Sequence, residues 1–334
     1  MTLSQNELMI IGKYFNTIND FMNLAKTCKN YRLFESYHFN PISLNNNSIK
    51  LFPNIETYHK YDNIFSHTFK LKNVIDWITP VNYDEINKDE NIIYKCLYFK
   101  PNKQLEDIVI PNDVNILIDE NFITYENLTN IVIPNTIKEI NTRCFSSCYN
   151  LKNIIIPTSI KEIGKYCFWN CSNLEYINIP TSVTKLGIGC FEYCENLKNI
   201  IISTSIKEIN DWCFSQCKNL TNIIIPTSVT KIGNYCFEYC ENLKNIIIMN
   251  VTKLGIGCFE YCKNLTNINI MNVKEISDYC FYECINLSNI NIMNVTKIGK
   301  YCFYNCSNLT NINISTNIKE IGKECFKGCD KLNS

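Results

Sequence analysis

Apolar and polar positions recur along most of the chain in one fixed phrase. Leu151-Lys152-Asn153-Ile154-Ile155-Ile156-Pro157 leads into Thr158-Ser159-Ile160-Lys161-Glu162-Ile163-Gly164, and then into Cys167-Phe168-Trp169-Asn170-Cys171. The Cys-Phe-x-x-Cys phrase starts at Cys144, Cys167, Cys190, Cys213, Cys236, Cys258, Cys280, Cys302 and Cys325, in steps of 22 or 23 residues. A degenerate copy, Asn121 to Tyr125, stands 23 residues before Cys144. The Leu-x-x-Ile-x-Ile phrase keeps the same register and first occurs at Leu105. Self-similarity at a fixed period is the mark of a solenoid, because one unit cannot bury its own apolar face and its neighbours must do so. The predicted fold is a β-rich repeat solenoid over 105–334, a right-handed coil of ten units with parallel strands.

Each unit has a physical reading. In Leu-x-x-Ile-x-Ile the two isoleucines lie two apart, so a strand turns both to the same side. Pro ends the strand by removing a donor. The Thr-Ser-Ile/Val-x-x-Ile/Leu-Gly segment reads as a bend that Gly allows. The 22-residue units drop one loop residue, Met249-Asn250 standing where Pro226-Thr227-Ser228 stood, and leave both phrases in register.

The paired cysteines call for their own account. Stacked strands lie about 4.8 Å apart, where a small side chain fits best, and a free Cys behaves as a small buried hydrophobe. Two structural ladders are therefore expected. One runs through the nine phrase-opening cysteines. The other runs through Cys148, Cys171, Cys194, Cys217, Cys240, Cys262, Cys284, Cys306 and Cys329. A metal array and a set of disulfides are the rival readings. Against the first, the spacing is Cys-x3-Cys rather than a Cys-x2-Cys clamp, and the three histidines (His38, His59 and His67) all lie near the N-terminus. Against the second stands the expected compartment. The start MTLSQNELMIIGKYF lacks a basic stretch followed by an unbroken apolar core, so no secretory signal is read. Twenty cysteines then imply reduced thiols and a cytoplasmic location.

The phrase Ile-x-x-Ile-Gly-x-x-Cys-Phe-x-x-Cys-x-x-Leu-x-x-Ile-x-Ile-Pro resembles the BspA-like leucine-rich repeats, over roughly residues 105–332. Members of that family mostly carry Ala where this chain has the first Cys, as at Cys167, which agrees with a small buried group. The resemblance implies a protein-binding solenoid, often a surface or adhesion protein. A surface adhesin exported without a recognisable signal is therefore kept as an alternative.

Lys and Arg together number 32, as do Asp and Glu. A formal charge of zero removes the usual electrostatic case for nucleic acid. No apolar run reaches the roughly 18 residues that a membrane span needs. No Gly-x-Gly-x-x-Gly or phosphate-cradling Gly-Lys-Ser/Thr occurs, and the repeats hold no His to activate a Ser or Cys. No enzyme, cofactor or metal is expected.

Residues 1–45 read as a helical module. Ser4 to Glu7 form a capping-box pattern ahead of Leu8 and Ile11, and Phe21, Leu24, Cys28 and Tyr31 share one helical face. This segment resembles an F-box, which implies docking to the Skp1 subunit of a ubiquitin ligase, with Leu8, Ile11, Phe21 and Leu24 as the contacts. Its expected Leu-Pro and Trp are replaced by Leu3-Ser4 and Tyr31. A plain helical cap is the alternative. Residues 46–104 read as a mixed linker region.

In each Leu-x-x-Ile-x-Ile strand the residue between the isoleucines points outward. That column runs Val109, Val132, Ile155, Asn178, Ile201, Ile224, Ile247, Asn269, Asn291, Asn313. Two positions earlier the column is almost all Asn, with Tyr176 as an exception. An apolar stripe rimmed by polar groups marks a partner site, although β-branched residues also favour strands for their own sake. Val109, Val132, Ile155, Tyr176, Ile201, Ile224 and Ile247 are the candidate contacts. Asp330 to Ser334 fall where another strand would start, and Lys319, Glu320, Lys323, Glu324 and Lys327 make the last unit highly charged. This reads as a polar cap, with self-association through that edge left open.

Overall fold

A computed structural model describes residues 108–332, together with Asn23 and the backbone of five upstream strands. The chain divides into two compact units, Met1–Tyr98 and Phe99–Ser334.

In the second unit each coil from Asn130 onward contributes two short strands. The first is the Ile-containing phrase, from Asn130–Val132 and Asn153–Ile155 through to Asn311–Ile314. Copies pair in parallel and in register within three sheets, which break between Ile155 and Tyr176 and between Ile201 and Asn222; in the longest, Ile223 lies opposite Ile246, Ile246 opposite Ile268, and Ile268 opposite Ile290. The inward isoleucines are buried and the residue between them is exposed, as alternation along a strand requires. The second strand lies in the segment read from sequence as a bend. Glu162–Ile163, Lys185–Leu186 and their equivalents form two parallel ladders of their own, which break between Leu186 and Glu208.

The glycines that follow this second strand are needed for close approach, not for a turn. A Cβ on Gly164 would stand 2.4 Å from the carbonyl carbon of Asn141 in the preceding coil, and one on Gly187 would stand 2.4 Å from that of Gly164. Neither has a positive φ.

The Cys-Phe-x-x-Cys segment forms a third wall. Arg143, Phe145 and Ser147 donate their N–H groups to the carbonyls of Lys165, Cys167 and Trp169 in the next coil, at 2.9, 2.9 and 2.7 Å. The residue before each cysteine sits in the left-handed region, as at Tyr166 (φ 53°) and Asn170 (φ 57°). That conformation costs a non-glycine residue about 1 kcal/mol. Here it aims alternate amides along the solenoid axis, where each finds a carbonyl, and the burial of the cysteines and Phe behind them offsets the strain.

Inside, Phe122, Phe145, Phe168, Phe191, Phe214, Phe237, Phe259, Phe281, Phe303 and Phe326 stack with centroids 5.0–5.6 Å apart. The eighteen repeat cysteines are all buried and all free thiols, so the disulfide reading falls away. Their two ladders are not equivalent. Each second cysteine donates its S–H to the carbonyl of the Phe one coil back, from Cys148 to Phe122 (3.1 Å) through Cys329 to Phe303 (3.0 Å). The first cysteines fill space. Their carbonyls take the Phe N–H of the previous coil, as in Phe145 to Cys167, at 2.9 Å. Burial pushes the thiols from Cys167 to Cys306 up, Cys213 to about 12, so they are held neutral.

In the first unit, Thr57–Lys60, Asn73–Asp76 and Ile92–Tyr94 pair in parallel and in chain order, in register at intervals of 16 and 18 residues. Val81–Asn82 and Leu97–Tyr98 form a second parallel pair. The region read as a mixed linker thus contains two parallel ladders of its own. Leu8, Ile11, Phe21 and Leu24 lie outside the described residues. Asn23 between them is helical and exposed.

Candidate interaction surface

The first-strand face brings the sequence-predicted column together in order. Val109, Val132, Ile155, Ile201, Ile224 and Ile247 expose 82, 64, 65, 54, 68 and 50% of their surface. Tyr176 is exposed beside them, on the Asn column. These are large fractions for β-branched side chains, and they recur at one position of the repeat, interrupted by Asn178. Burial of a Val or Ile side chain stabilises by about 1.5–3 kcal/mol, so the stripe holds unused hydrophobic free energy. Two shallow grooves open on it. One runs between Ile201 and Ile224, walled by Thr204 and Pro226. The other runs between Val109 and Val132, walled by Asn112 and Pro134. Towards the C-terminus the lining changes, and Asn245, Asn267, Asn269, Asn289, Asn291 and Asn313 join Ile247 around a broader depression.

The Asn column at the edge of the stripe is partly tied to itself. Asn245 donates to Asn222 at 3.3 Å and Asn311 to Asn289 at 3.0 Å. A second asparagine ladder was not read from the sequence. Asn150, Asn173, Asn196, Asn219, Asn242, Asn264, Asn286 and Asn308 each follow the second cysteine by two positions, and each side-chain amide donates to the Asn of the preceding coil at 2.9–3.4 Å from Asn173 onward. The signal was present, since the same residue recurs at the same place in eight successive units. This ladder is half-buried and structural.

Charged groups keep clear of the stripe. Glu162 and Lys185, like Glu208 and Lys231, pair across neighbouring coils on the second strand, at 3.2 and 3.3 Å. Exposed pairs of this kind contribute at most about 1 kcal/mol, and here they oppose slippage between near-identical coils. The charged last unit does not cover the solenoid's final coil, where Ile321 is 48% exposed. Among the described residues, no group of three or more His, Cys, Asp or Glu side chains is arranged to hold a metal ion. None of their helices is long and apolar enough to cross a membrane.

Parallel ladders, a period of 22–23 residues and an exposed strand face define a leucine-rich-repeat solenoid. The family model "BspA type Leucine rich repeat region" matches residues 90–221, 161–273 and 230–334, and the chain belongs to that family. No curated protein matches it. Among solved structures, a leucine-rich repeat protein from Bacteroides ovatus ATCC 8483 is 28% identical, with a TM-score of 0.58 over 79% of this chain and 75% of that one. A leucine rich cell surface protein from Faecalibacterium prausnitzii A2-165 is 24% identical, with a TM-score of 0.42 over 62% of this chain and 74% of that one. Solenoids of this class are in general non-enzymatic binding scaffolds, and at that level a protein-interaction or surface-binding role follows for this chain.

Proposed function

We propose that the chain is a non-enzymatic interaction scaffold that binds a protein partner through the first-strand face, centred on Ile201, Ile224 and Ile247. The observation that carries this reading is the unbroken run of three isoleucines at one repeat position of successive coils, each at least half exposed, with Ile224 and Ile247 in register on paired strands. Their floor is held by parallel pairing, Asn199–Ile201 with Tyr176–Asn178 and Asn222–Ile224 with Asn245–Ile247, so little conformational entropy is lost on docking. The rim of asparagines supplies donors and acceptors around an apolar centre, the anatomy of a protein-binding patch.

The test is a comparative pull-down from the native cell, with wild type and the triple variant Ile201→Asn, Ile224→Asn, Ile247→Asn as baits. Partners held by wild type should be lost by the variant, which keeps the solenoid intact because all three positions are exposed. Retention of every partner would sink the proposal. A cytoplasmic location is part of the same reading, supported by the eighteen free thiols. Protease shaving of intact cells should leave the protein untouched, and its removal would favour surface display.

A further inference from the structure

The Cys-Phe-x-x-Cys wall has an outer surface that the strand-face reading does not use. Three columns point outward there: the residue before the first cysteine and the two residues after the Phe. Between Gly189 and Asn305 these columns hold Trp212, eight tyrosines, and the carboxylates of Glu192, Glu238, Glu260 and Glu283, without one Lys or Arg. The rings are half-buried and ordered along the axis. Tyr239 stacks on Tyr261 at 4.4 Å, Tyr282 on Tyr304 at 5.0 Å, and Trp212 on Tyr235 at 6.0 Å.

At both ends of the same columns the chain places cations of its own on tyrosines. The Arg143 guanidinium lies 5.8 Å from the Tyr166 ring centre, and the Lys327 ammonium 5.7 Å from that of Tyr304. In the middle no such cation exists. Among the described residues no lysine or arginine pairs with Glu192, Glu238 or Glu260. Glu238 accepts only from the Ser215 hydroxyl, at 3.1 Å. On the adjoining column Glu195 is neutralised by Lys218 at 2.7 Å and Glu241 by Lys263 at 3.3 Å. Half-buried carboxyls without a counter-charge are costly. Burial and the charge of Glu238 push Glu192 and Glu260 up to about 7.

We propose that this tyrosine-lined acidic wall, centred on Glu192, Glu238 and Glu260, docks a Lys/Arg-rich polypeptide segment. The argument is charge complementarity on an ordered, unpartnered face. Guanidinium groups donate in pairs to carboxylates, and their stems lie along aromatic edges. The carboxylates of Glu238 and Glu260 lie one coil apart and that of Glu192 two coils from Glu238, or about 5 and 10 Å along the axis. An extended segment offers basic side chains at comparable intervals.

Fluorescence anisotropy with a labelled nona-arginine peptide and the full chain tests this at low and moderate salt. Wild type should bind saturably. Glu192→Gln, Glu238→Gln, Glu260→Gln should weaken binding at least tenfold. Removing three carboxylates that already have lysine partners, in Glu162→Gln, Glu175→Gln, Glu208→Gln, should change it less than twofold. The Ile201/Ile224/Ile247→Asn variant should bind as wild type does, which separates this site from the strand face. Equal weakening by both glutamate triples, or no binding by wild type, overturns the proposal. Loss of peptide binding as the chain is concentrated into a dimer would assign the wall to self-association and also overturn it.

Discussion

The first-strand face carries two chemistries on one backbone. Ile224 pairs with Ile247, Ile247 with Asn269, and Asn269 with Asn291, all parallel and in the same register. The inward neighbours do not change across this junction, since Ile223, Ile246, Ile268 and Ile290 are all buried. The core therefore fixes the coil, and the outward column is free to vary. One cause of the change is local. Asn269 and Asn291 turn their side-chain carbonyls back to accept the N–H of Met271 and Met293, both at 3.2 Å. In the equivalent place behind Val132, Ile155 and Ile224 stand Pro134, Pro157 and Pro226, which have no N–H to satisfy. An apolar residue is tolerated where Pro has removed the donor, and Asn serves where Met has restored it. Ile201 before Ser203, Ile247 before Met249 and Asn178 before Pro180 depart from this rule; the exposure of the two isoleucines therefore has no backbone explanation, which strengthens their place in the proposed interface.

The largest expected effect checks that the two regions share one scaffold. Phe214 lies under the apolar part and Phe281 under the asparagine part, both fully buried and both stacked on two neighbours. Phe214→Ala and Phe281→Ala should each cost about 3–5 kcal/mol, read as similar drops in the midpoint of urea unfolding. A loss at one site more than twice that at the other would mean that the two regions differ in the core and not only on the surface.

The exposed Ile column and the cysteine burial were legible because strand alternation and a shared period act over many units. Other features carry no such signal. A two-residue strand such as Glu162–Ile163 is too short to show alternation. The left-handed residues are invisible because Tyr166, Trp212 and Tyr235 fill a place that sequence reasoning reserves for Gly. The division of labour between the cysteines was hidden as well, since both are small and buried, and only the structure shows Cys171 donating to Phe145 at 3.1 Å. The parallel strands at Thr57–Lys60 and Asn73–Asp76 share no repeated motif with the later coils, so nothing linked them to a solenoid pattern. The face itself was readable. Its grooves were not, because they depend on how Pro226 and Thr204 flank the column.

A smaller effect concerns the half-buried asparagine ladder that runs under both regions. Asn219 donates to Asn196 at 2.9 Å and accepts from Asn242 at 3.1 Å. Asn219→Ala leaves an acceptor and a donor without partners and should cost about 1–3 kcal/mol. Asn286→Ala, which breaks the links to Asn264 and Asn308 in the asparagine region, should cost the same within error. If thermal unfolding showed a cost at only one of the two, the ladder would not be the continuous device described.

The smallest effect separates the local cause of the Ile-to-Asn change from a functional one. Asn178 and Asn291 occupy the same column, but Pro180 follows the first and Met293 the second. Replacing either with Ile gains the same modest strand preference, on a scale that spans about 1 kcal/mol. Only at Asn291 does the change also remove the acceptor of a backbone N–H, worth about 0.5–1.5 kcal/mol. Asn178→Ile should therefore be neutral or slightly stabilising in chemical denaturation, and Asn291→Ile should be the less stable of the two by about 1 kcal/mol. If both variants shifted stability equally, backbone satisfaction would not explain the asparagines, and their clustering beyond Ile247 would have to come from what the face meets in solution.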